Sequence, residues 1–532
     1  MCIRDSPYAA DKGRILDRNR FVMTNTIDLY ANYNRKIGED FELGAMVGHS
    51  FLKTRSRTSY IDAQNYPSPA FDVASVAANI VDASAGLSEY AIESYFARLS
   101  LAYKDRYVVN ATIRTDGSSR FAPDCRWGWF PSVSVGWNVS NESFWNAEKT
   151  DLKIRASYGR TGNQDGISNY GWQALISGGV NYGGQSGIAI SSSGNDRLTW
   201  ETADQYNAGF DLSFLGGKIN MIADVYLKNT NNLLYSKPVH ATTGETSILS
   251  NIGSMRNKGV EFTINTHLNL GKVLWSSSFN IARNVNKLTS LLEDDLLSIG
   301  ANRALKLGRT VGSWYIFRTD GIYQYDGEVP QALYDKGVRA GDVKYWDRNG
   351  DGNITDDDRI VTGNPNPKFS GGWNNTFKYK GLELSLFFTY SYGNDVYASW
   401  MIPGSKPGHT RSLLKAYADN RWTGPGTSDK YPRAIYSYSG WNGKNSTMYL
   451  TDGSFIRLRS VTLGYTFPQR LVSKIHLKGL RVYAQGDNVF LCSRYPGWDP
   501  ETSVNLDPRF YGEDNDGVPQ PRIFKLGVNI TF

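Results

Sequence analysis

Between Asp347 and Asp358 the chain reads DRNGDGNITDDD, a run with oxygen-bearing side chains at alternate positions. Asp347, Asn349, Asp351, Asn353 and Asp358 take positions 1, 3, 5, 7 and 12 of a loop, with Gly352 at position 6. Hard cations are wrapped by oxygen ligands, and this spacing, with glycine at the sharp turn, is that of a calcium loop. Asp358 stands where such loops carry a bidentate Glu, one methylene longer. An acidic, Gly-rich surface turn that binds nothing is the plainer reading of the same residues. The flanks 343–346 and 359–362 read as extended segments, so strands and not helices frame the loop. Its expected role is structural, a Ca2+ ion stiffening an exposed loop.

No other constellation points to chemistry. There is no GxSxG elbow, no P-loop and no GxGxxG after a strand, so no catalytic or cofactor-binding residue is assigned. Acidic pairs such as Asp294/Asp295 and Asp356/Asp357 are adjacent, and their side chains diverge in a strand. His49, His240, His267, His409 and His476 are isolated from one another, and Cys2, Cys125 and Cys492 are too scattered for a disulfide framework. Net charge is +7, but Lys and Arg are dispersed, whereas nucleic-acid binding needs a concentrated basic face. Trp172, Trp314, Trp441 and Trp498 fall in loops, where an indole stacks on a sugar ring, anchors at the membrane interface or packs a loop core. Substrate-binding residues are therefore left unassigned.

The elements that must position these loops are strands. Phe524, Leu526, Val528, Ile530 and Phe532 alternate with Lys525, Gly527, Asn529 and Thr531, which puts five apolar side chains on one face. Tyr95, Ala97, Leu99, Leu101 and Tyr103 repeat the pattern, as do Tyr206–Phe214 and Leu384, Leu386, Phe388 and Tyr390. Each run is about ten residues, the length a tilted strand needs to cross a bilayer. Helical spacing is nowhere sustained over a comparable length. Mean hydropathy is −0.43, and a barrel accommodates so low a value because every second residue faces a wet lumen. Aromatics reach 13%, and Trp127, Trp129, Trp137, Trp145, Tyr379 and Trp400 fall near strand ends, where interfacial girdles place them.

Strands are expected near 21–35, 39–52, 92–104, 106–116, 129–140, 151–160, 200–214, 217–229, 257–270, 273–286, 368–380, 381–392, 454–466, 479–490 and 522–532. Tight corners at Gly216-Gly217 and Lys380-Gly381 contrast with long stretches at 53–90, 161–198, 287–366 and 393–453. Short turns on one rim and long loops on the other are the plan of an outer-membrane barrel, the long loops lying outside the cell. The fold class is thus all-β, a transmembrane antiparallel β-barrel. Residues 1–6 (MCIRDS) match nothing that follows and read as an assembly scar, and 7–20 as an incomplete loop or strand remnant.

Within this frame, Gly341 to Phe369 (GDVKYWDRNGDGNITDDDRIVTGNPNPKF) resembles the signature of the SusC/RagA family of TonB-linked outer-membrane transporters. DGSSRF (116–121), RWGWFPSVSVGWNVSNESF (126–144), SYGRTGNQ (157–164) and NIGSMRNKGVEF (251–262) are similar to that family. So are YGNDVY (392–397), DGSFIRLRSVTLGYTFP (452–468) and the ending PQPRIFKLGVNITF (519–532). They stand in the family's order and cover nearly everything from about residue 21 onward.

The resemblance implies a barrel of about 22 strands, a plug inside it and a SusD-like lipoprotein lid over its outer mouth. It also implies energy from the TonB complex, reached through an amino-terminal region, and a glycan or peptide substrate. The family's signal peptide, regulatory β-domain, TonB-contacting segment and plug precede the barrel, and no residue run here matches them. With about 14–16 strands counted, residues 21–532 are expected to be the carboxy-terminal part of the barrel, a fragment that does not alone close into a TonB-energised transporter. The implied location is the outer membrane of a Gram-negative, Bacteroidetes-like cell, with outer-membrane lipid around the barrel. Two alternatives stand beside this reading: a TonB-dependent siderophore or vitamin receptor, and a secreted calcium-binding, carbohydrate-active β-protein.

Overall fold

In the computed structural model the residues described are 13–532, apart from 69, 147–149, 241, 243, 292–294, 405–412 and 436–439. The segment 1–6, residues 7–12, Cys2, Asp294 and His409 thus lie outside the described residues. Fifteen strands form one sheet in chain order. They are β1 (Arg14–Ile37), β2 (Phe41–Gln64), β3 (Asn79–Tyr103), β4 (Tyr107–Ser118), β5 (Trp127–Asn138), β6 (Thr150–Asn163), β7 (Glu201–Phe214), β8 (Ile219–Asn231), β9 (Ser254–Leu270), β10 (Val273–Ser290), β11 (Phe369–Tyr379), β12 (Leu382–Tyr392), β13 (Phe455–Thr466), β14 (Gly479–Ser493) and β15 (Ile523–Thr531). By contacts the chain divides into two compact units, one of Met1–Val135, Ser157–Asp204 and Thr230–Ile252, the other of Gly136–Ala156, Gln205–Asn229 and Gly253–Phe532. No helix among the described residues is long and apolar enough to cross a membrane. The crossing elements are the strands.

In the first unit β1, β2 and β3 pair antiparallel over nearly their whole lengths of 24, 24 and 25 residues. The turn from β3 to β4 is tight because Lys104 and Asp105 both adopt the left-handed conformation, φ 51° and 52°, as a hairpin turn matching strand twist requires. On one face Phe41, Leu43, Ala45 and Val47 of β2 lie opposite Tyr103, Leu101, Leu99 and Ala97 of β3. Those side chains form an apolar belt.

The strands run well past the expected boundaries. Residues 53–64 and 79–91, read from sequence as part of a long loop, continue β2 and β3, and β1 begins at Arg14 instead of near Phe21. In Lys53, Thr54, Arg55, Ser56, Arg57, Thr58 and Ser59 the apolar alternation has vanished. What holds these residues extended is pairing: β2 is laddered to β1 on one edge and to β3 on the other up to Gln64. Twenty-four residues at about 3.3 Å each make a strand near 80 Å long.

In the second unit the belt is continuous from strand to strand. Phe377, Leu384, Leu463, Ala484 and Leu526 form one row across β11–β15, and Tyr379, Leu382, Tyr465, Val482 and Val528 the next. Two polar residues on the apolar face are roofed by indoles: Trp275 Nε1 donates to Asn375 Oδ1 at 3.2 Å and Trp373 Nε1 to Ser277 Oγ at 3.0 Å. The other face is polar, with Thr376 donating to Ser385 at 3.2 Å and Glu383 paired with Lys378 at 3.0 Å and Arg481 at 2.8 Å. Gly464 gives Arg481 its path, since a Cβ there would meet the guanidinium at 2.8 Å. In β13, Arg459 is left out of both ladders by a bulge, which re-aims its side chain before pairing resumes at Leu458.

Trp400 departs from the girdle expectation. It packs against the core of the folded loops, and its Nε1 donates to the Tyr495 hydroxyl at 3.1 Å.

The belt makes a depth-dependent statement. Leu386 lies near the middle of β12, on the face of Leu384, so at the bilayer midplane Leu386→Arg in the receptor folded into lipid vesicles is expected to cost about 2–4 kcal/mol. Ser385→Arg, on the polar face, is expected to cost far less. Denaturant midpoints of the two variants measure this, and equal losses would remove the lipid-facing assignment.

Candidate functional site

The long connections of the second unit are folded, and they carry the acidic loop. Leu296–Ile299, Arg303–Lys306, Trp314–Phe317 and Arg359–Thr362 make a four-stranded sheet, and Thr319–Ile322 pairs with Val343–Tyr345. Asp395–Ala398 lies between Leu450–Asp452 and Glu513–Asp514, which ties the β12–β13 connection to the β14–β15 connection. Two apolar cores hold this assembly. One centres on Phe317, Tyr323, Leu333, Val343 and Tyr345, the other on Trp314, Ile316, Val396, Tyr397 and Tyr449.

Buried charges tie the connections to one another. Arg303 is fully buried, donates to the carbonyls of Gly312, Phe510 and Tyr511, and stacks 4.1 Å from the Trp314 ring. Burial pulls its pKa down to about 10, so it is still a cation at neutral pH. Asp342 takes a bidentate pair from Arg433 at 2.8 and 3.0 Å, and Asn442 Nδ2 at 2.9 Å. Arg457 and Asp499, each 3% exposed, meet at 2.6 Å, and Glu501 receives both Arg457 and Arg459 at 2.8 Å. Burial pushes the Asp395 carboxyl above its ordinary range, while the Asn364 N–H opposes that shift.

The acidic loop closes on itself. Asp347 accepts Gly350 N at 2.7 Å and Gly352 N at 2.8 Å, and both glycines are left-handed, φ 73° and 78°. Asp351 accepts Asn353 N at 2.7 Å and the Asn349 amide at 3.0 Å, while Asn349 accepts Asp351 N at 3.0 Å. Asp358, fully buried, accepts Arg348 N at 2.9 Å and Thr355 N at 2.8 Å, the latter part of a capping box. Asn353 Oδ1 receives the Lys336 ammonium at 2.7 Å. Among the described residues no group of three or more His, Cys, Asp or Glu side chains is arranged to hold a metal ion. The five residues are thus brought into one turn whose oxygens are met by its own N–H groups and by Lys336.

Of the four loop tryptophans, Trp314 is wholly buried, Trp441 packs on a core and donates to Val343 O at 2.8 Å, and Trp172 donates to Ser119 O at 3.3 Å. Only Trp498 among them is widely open, 79% exposed, in the same connection as exposed Val504, Leu506 and Val518. The arrangement can present a binding surface on a rigid support.

In the first unit the motif residues build a satellite core. Phe121, Phe130, Ile167, Leu198 and Trp200 cluster together, and Trp200 Nε1 donates to Arg126 O at 2.9 Å. The Phe130 ring lies on two glycines: a Cβ at Gly128 or Gly162 would come within 2.4 or 2.3 Å of its Cζ. Arg303 and Asp499 escaped the sequence reading because charge alone does not signal burial. Asp342 and Arg457 do lie inside runs singled out above, GDVKYW and DGSFIRLRSV.

Comparison with known proteins places this geometry. The family profile described as TonB dependent receptor-like, beta-barrel matches residues 4–353. TonB-dependent receptor P26 of Formosa agariphila is 33% identical over 94% of this chain and 52% of its own length. TonB-dependent receptor SusC of Bacteroides thetaiotaomicron is 29% identical over 97% of this chain and 51% of its own. The chain thus spans about half the length of the curated relatives it matches. In fold it is similar to the RagAB peptide transporter, with a TM-score of 0.85 at 22% identity, over 98% of this chain and 56% of that one.

The buried pair offers a direct test of how the last connection is held. Arg457→Met leaves Asp499 uncompensated and is expected to cost about 3–5 kcal/mol, read by thermal unfolding. Arg457→Met with Asp499→Leu is expected to recover much of that loss. A double variant no better than the single one would show that the pair is not what anchors 494–522.

Proposed function

Because the chain belongs to the family of TonB-dependent receptor-like β-barrels, in its SusC/RagA branch, we propose that the receptor carrying it imports oligosaccharides or peptides across the outer membrane of a Bacteroidetes-like bacterium. A SusD-like surface lipoprotein covers the loops, and the TonB complex supplies the energy. Proteins of this family are receptors and transporters and lie in the outer membrane.

The observation that carries the reading is that the long connections are built, not loose. Two apolar cores and buried ion pairs fix their backbones, which is what a site that must recognise a bulky solute needs. The RagAB structure is that of a peptide transporter, which supports a peptide as one of the two substrate classes. The siderophore or vitamin alternative has no comparable support in the motif runs.

We also propose that the Asp347–Asp358 turn takes a structural calcium ion, with Asp347, Asn349, Asp351, Asn353 and Asp358 supplying side-chain or backbone oxygens. In support, Gly352 makes the left-handed bend that position 6 of such loops requires. Lys336, now on Asn353, would have to swing away.

Two measurements test these readings. Growth of the native bacterium on glycans and on peptides, with this receptor deleted, is expected to fail on one class and to fail equally when TonB is deleted. Growth unaffected on both classes, or restored by iron or vitamin supplements, would overturn the importer reading. Calorimetry of the receptor with Ca2+ is expected to show binding heat that Asp347→Ala abolishes, and no heat in the intact receptor would remove the ion.

A further inference from the structure

The apolar face of β2 changes character abruptly. From the short-turn rim outward it carries Phe41, Leu43, Ala45, Val47, His49 and Phe51, then Lys53, Arg55 and Arg57. Two ring clusters mark the edges of the apolar part. Phe41, Tyr103 and Tyr107 lie near the tight turns with ring centroids 4.6 and 6.4 Å apart. Farther up, His49, Tyr95 and Trp127 are joined at 4.8 and 6.1 Å. The clusters are eight residues apart (41 to 49, 103 to 95), about 20 Å of height at a tilt near 40°, close to the apolar band of an outer-membrane barrel.

The basic residues therefore begin where hydrocarbon ends, on the lipid-facing side and on the rim of the long loops, which is the outside. Lys53, Arg55 and Arg57 are exposed, while Thr54 and Ser56 between them are part-buried. One carboxylate stands among them: Glu89, 3.1 Å from Lys53 Nζ and 3.3 Å from Arg55 Nε. Glu93, a step nearer the bilayer, is held by the Tyr95 hydroxyl at 2.8 Å and His49 at 3.3 Å. Arg57 makes no ion pair among the described residues, so the ridge keeps surplus positive charge. Apolar side chains border it, with Phe21 and Met23 opposite Arg57 and Arg55 on β1, and Leu87 opposite Arg57 on β3.

We propose that Lys53, Arg55 and Arg57 form a site for the phosphorylated sugar headgroup of an outer-leaflet glycolipid. From Lys53 to Arg57 the ridge spans about 10 Å of height, deeper than a single phosphate and suited to a headgroup of phosphorylated sugars. Lys and Arg stems lie along the apolar flank while their charges reach the anions. Any occupant must stand at the bilayer edge, because the ridge continues the apolar belt on the same face. Cations on the opposite face of the hairpin are engaged there, Arg18 over the Tyr60 ring at 5.2 Å and Arg20 on Ser56 at 3.3 Å.

The test uses the whole receptor in detergent, with bisphosphorylated lipid A and its dephosphorylated form as probes. Lys53→Gln/Arg55→Gln/Arg57→Gln is expected to weaken binding of the bisphosphorylated lipid by about tenfold or more, given roughly fivefold per basic residue at an anionic surface. Added salt is expected to weaken wild-type binding. Arg18→Gln/Arg20→Gln removes two charges from the other face and is expected to leave binding unchanged. Heat-modifiable migration on gels reports whether each variant folds, and Arg57→Gln alone, expected to lose about fivefold, serves if the triple variant does not. Wild-type affinity in the basic-ridge variants, equal affinity for the dephosphorylated lipid, or equal loss in the control pair would overturn the proposal. Competition by inorganic phosphate or soluble dextran sulfate at matched charge would assign the ridge to free anions instead and overturn it as well.

Discussion

In hydrocarbon an unpaired backbone N–H or C=O has no water to turn to, and each costs several kcal/mol. That constraint fixes most of what is seen here. It demands that crossing segments be laddered to their neighbours, which gives the long antiparallel registers that join β10 through β15, broken by the bulge at Arg459. It also forces side chains to sort by face, because a ladder leaves only two directions to point. The apolar rows through Leu384 and Leu382 follow, as do the Trp275 and Trp373 indoles that satisfy Asn375 and Ser277 where those polar groups would otherwise meet lipid.

Above the bilayer the same economy is met by other means. Loops that must hold a shape in water without a large core use buried cations to collect orphan carbonyls, as Arg303 does with Gly312, Phe510 and Tyr511. Such a residue serves the backbone more than it serves any anion, since Glu513 stands 3.9 Å away. The Asp347–Asp358 turn uses the mirror device, with carboxylates collecting orphan N–H groups.

The sequence was legible where a residue's neighbours in space are also near it in pattern. Alternation located all fifteen strands of the main sheet, and the Gly216-Gly217 and Lys380-Gly381 corners fell where the structure turns. It failed at 53–64 and 79–91, because extended structure there is imposed by partner strands and not by an apolar stripe. It failed for Trp400, whose distance from a strand end in sequence said nothing of the Tyr495 hydroxyl across the loop assembly. The acidic turn was found at its correct place and with its glycine bend. Which atoms its oxygens would accept was not readable from spacing, since a backbone N–H and a cation ask for the same lone pairs.

The length of β1, β2 and β3 has a mechanical consequence. Beyond His49, β2 continues to Gln64, about 50 Å of strand. Laddered to a neighbour on each side, it cannot bend without stretching or compressing a row of hydrogen bonds, so the three strands act as a stiff lever rooted in the wall. The connection at 65–78 rides on its tip, where a small lateral force becomes a large torque at the level of the aromatic clusters. Anything that grips that tip addresses the barrel wall itself, and does so without touching the bilayer.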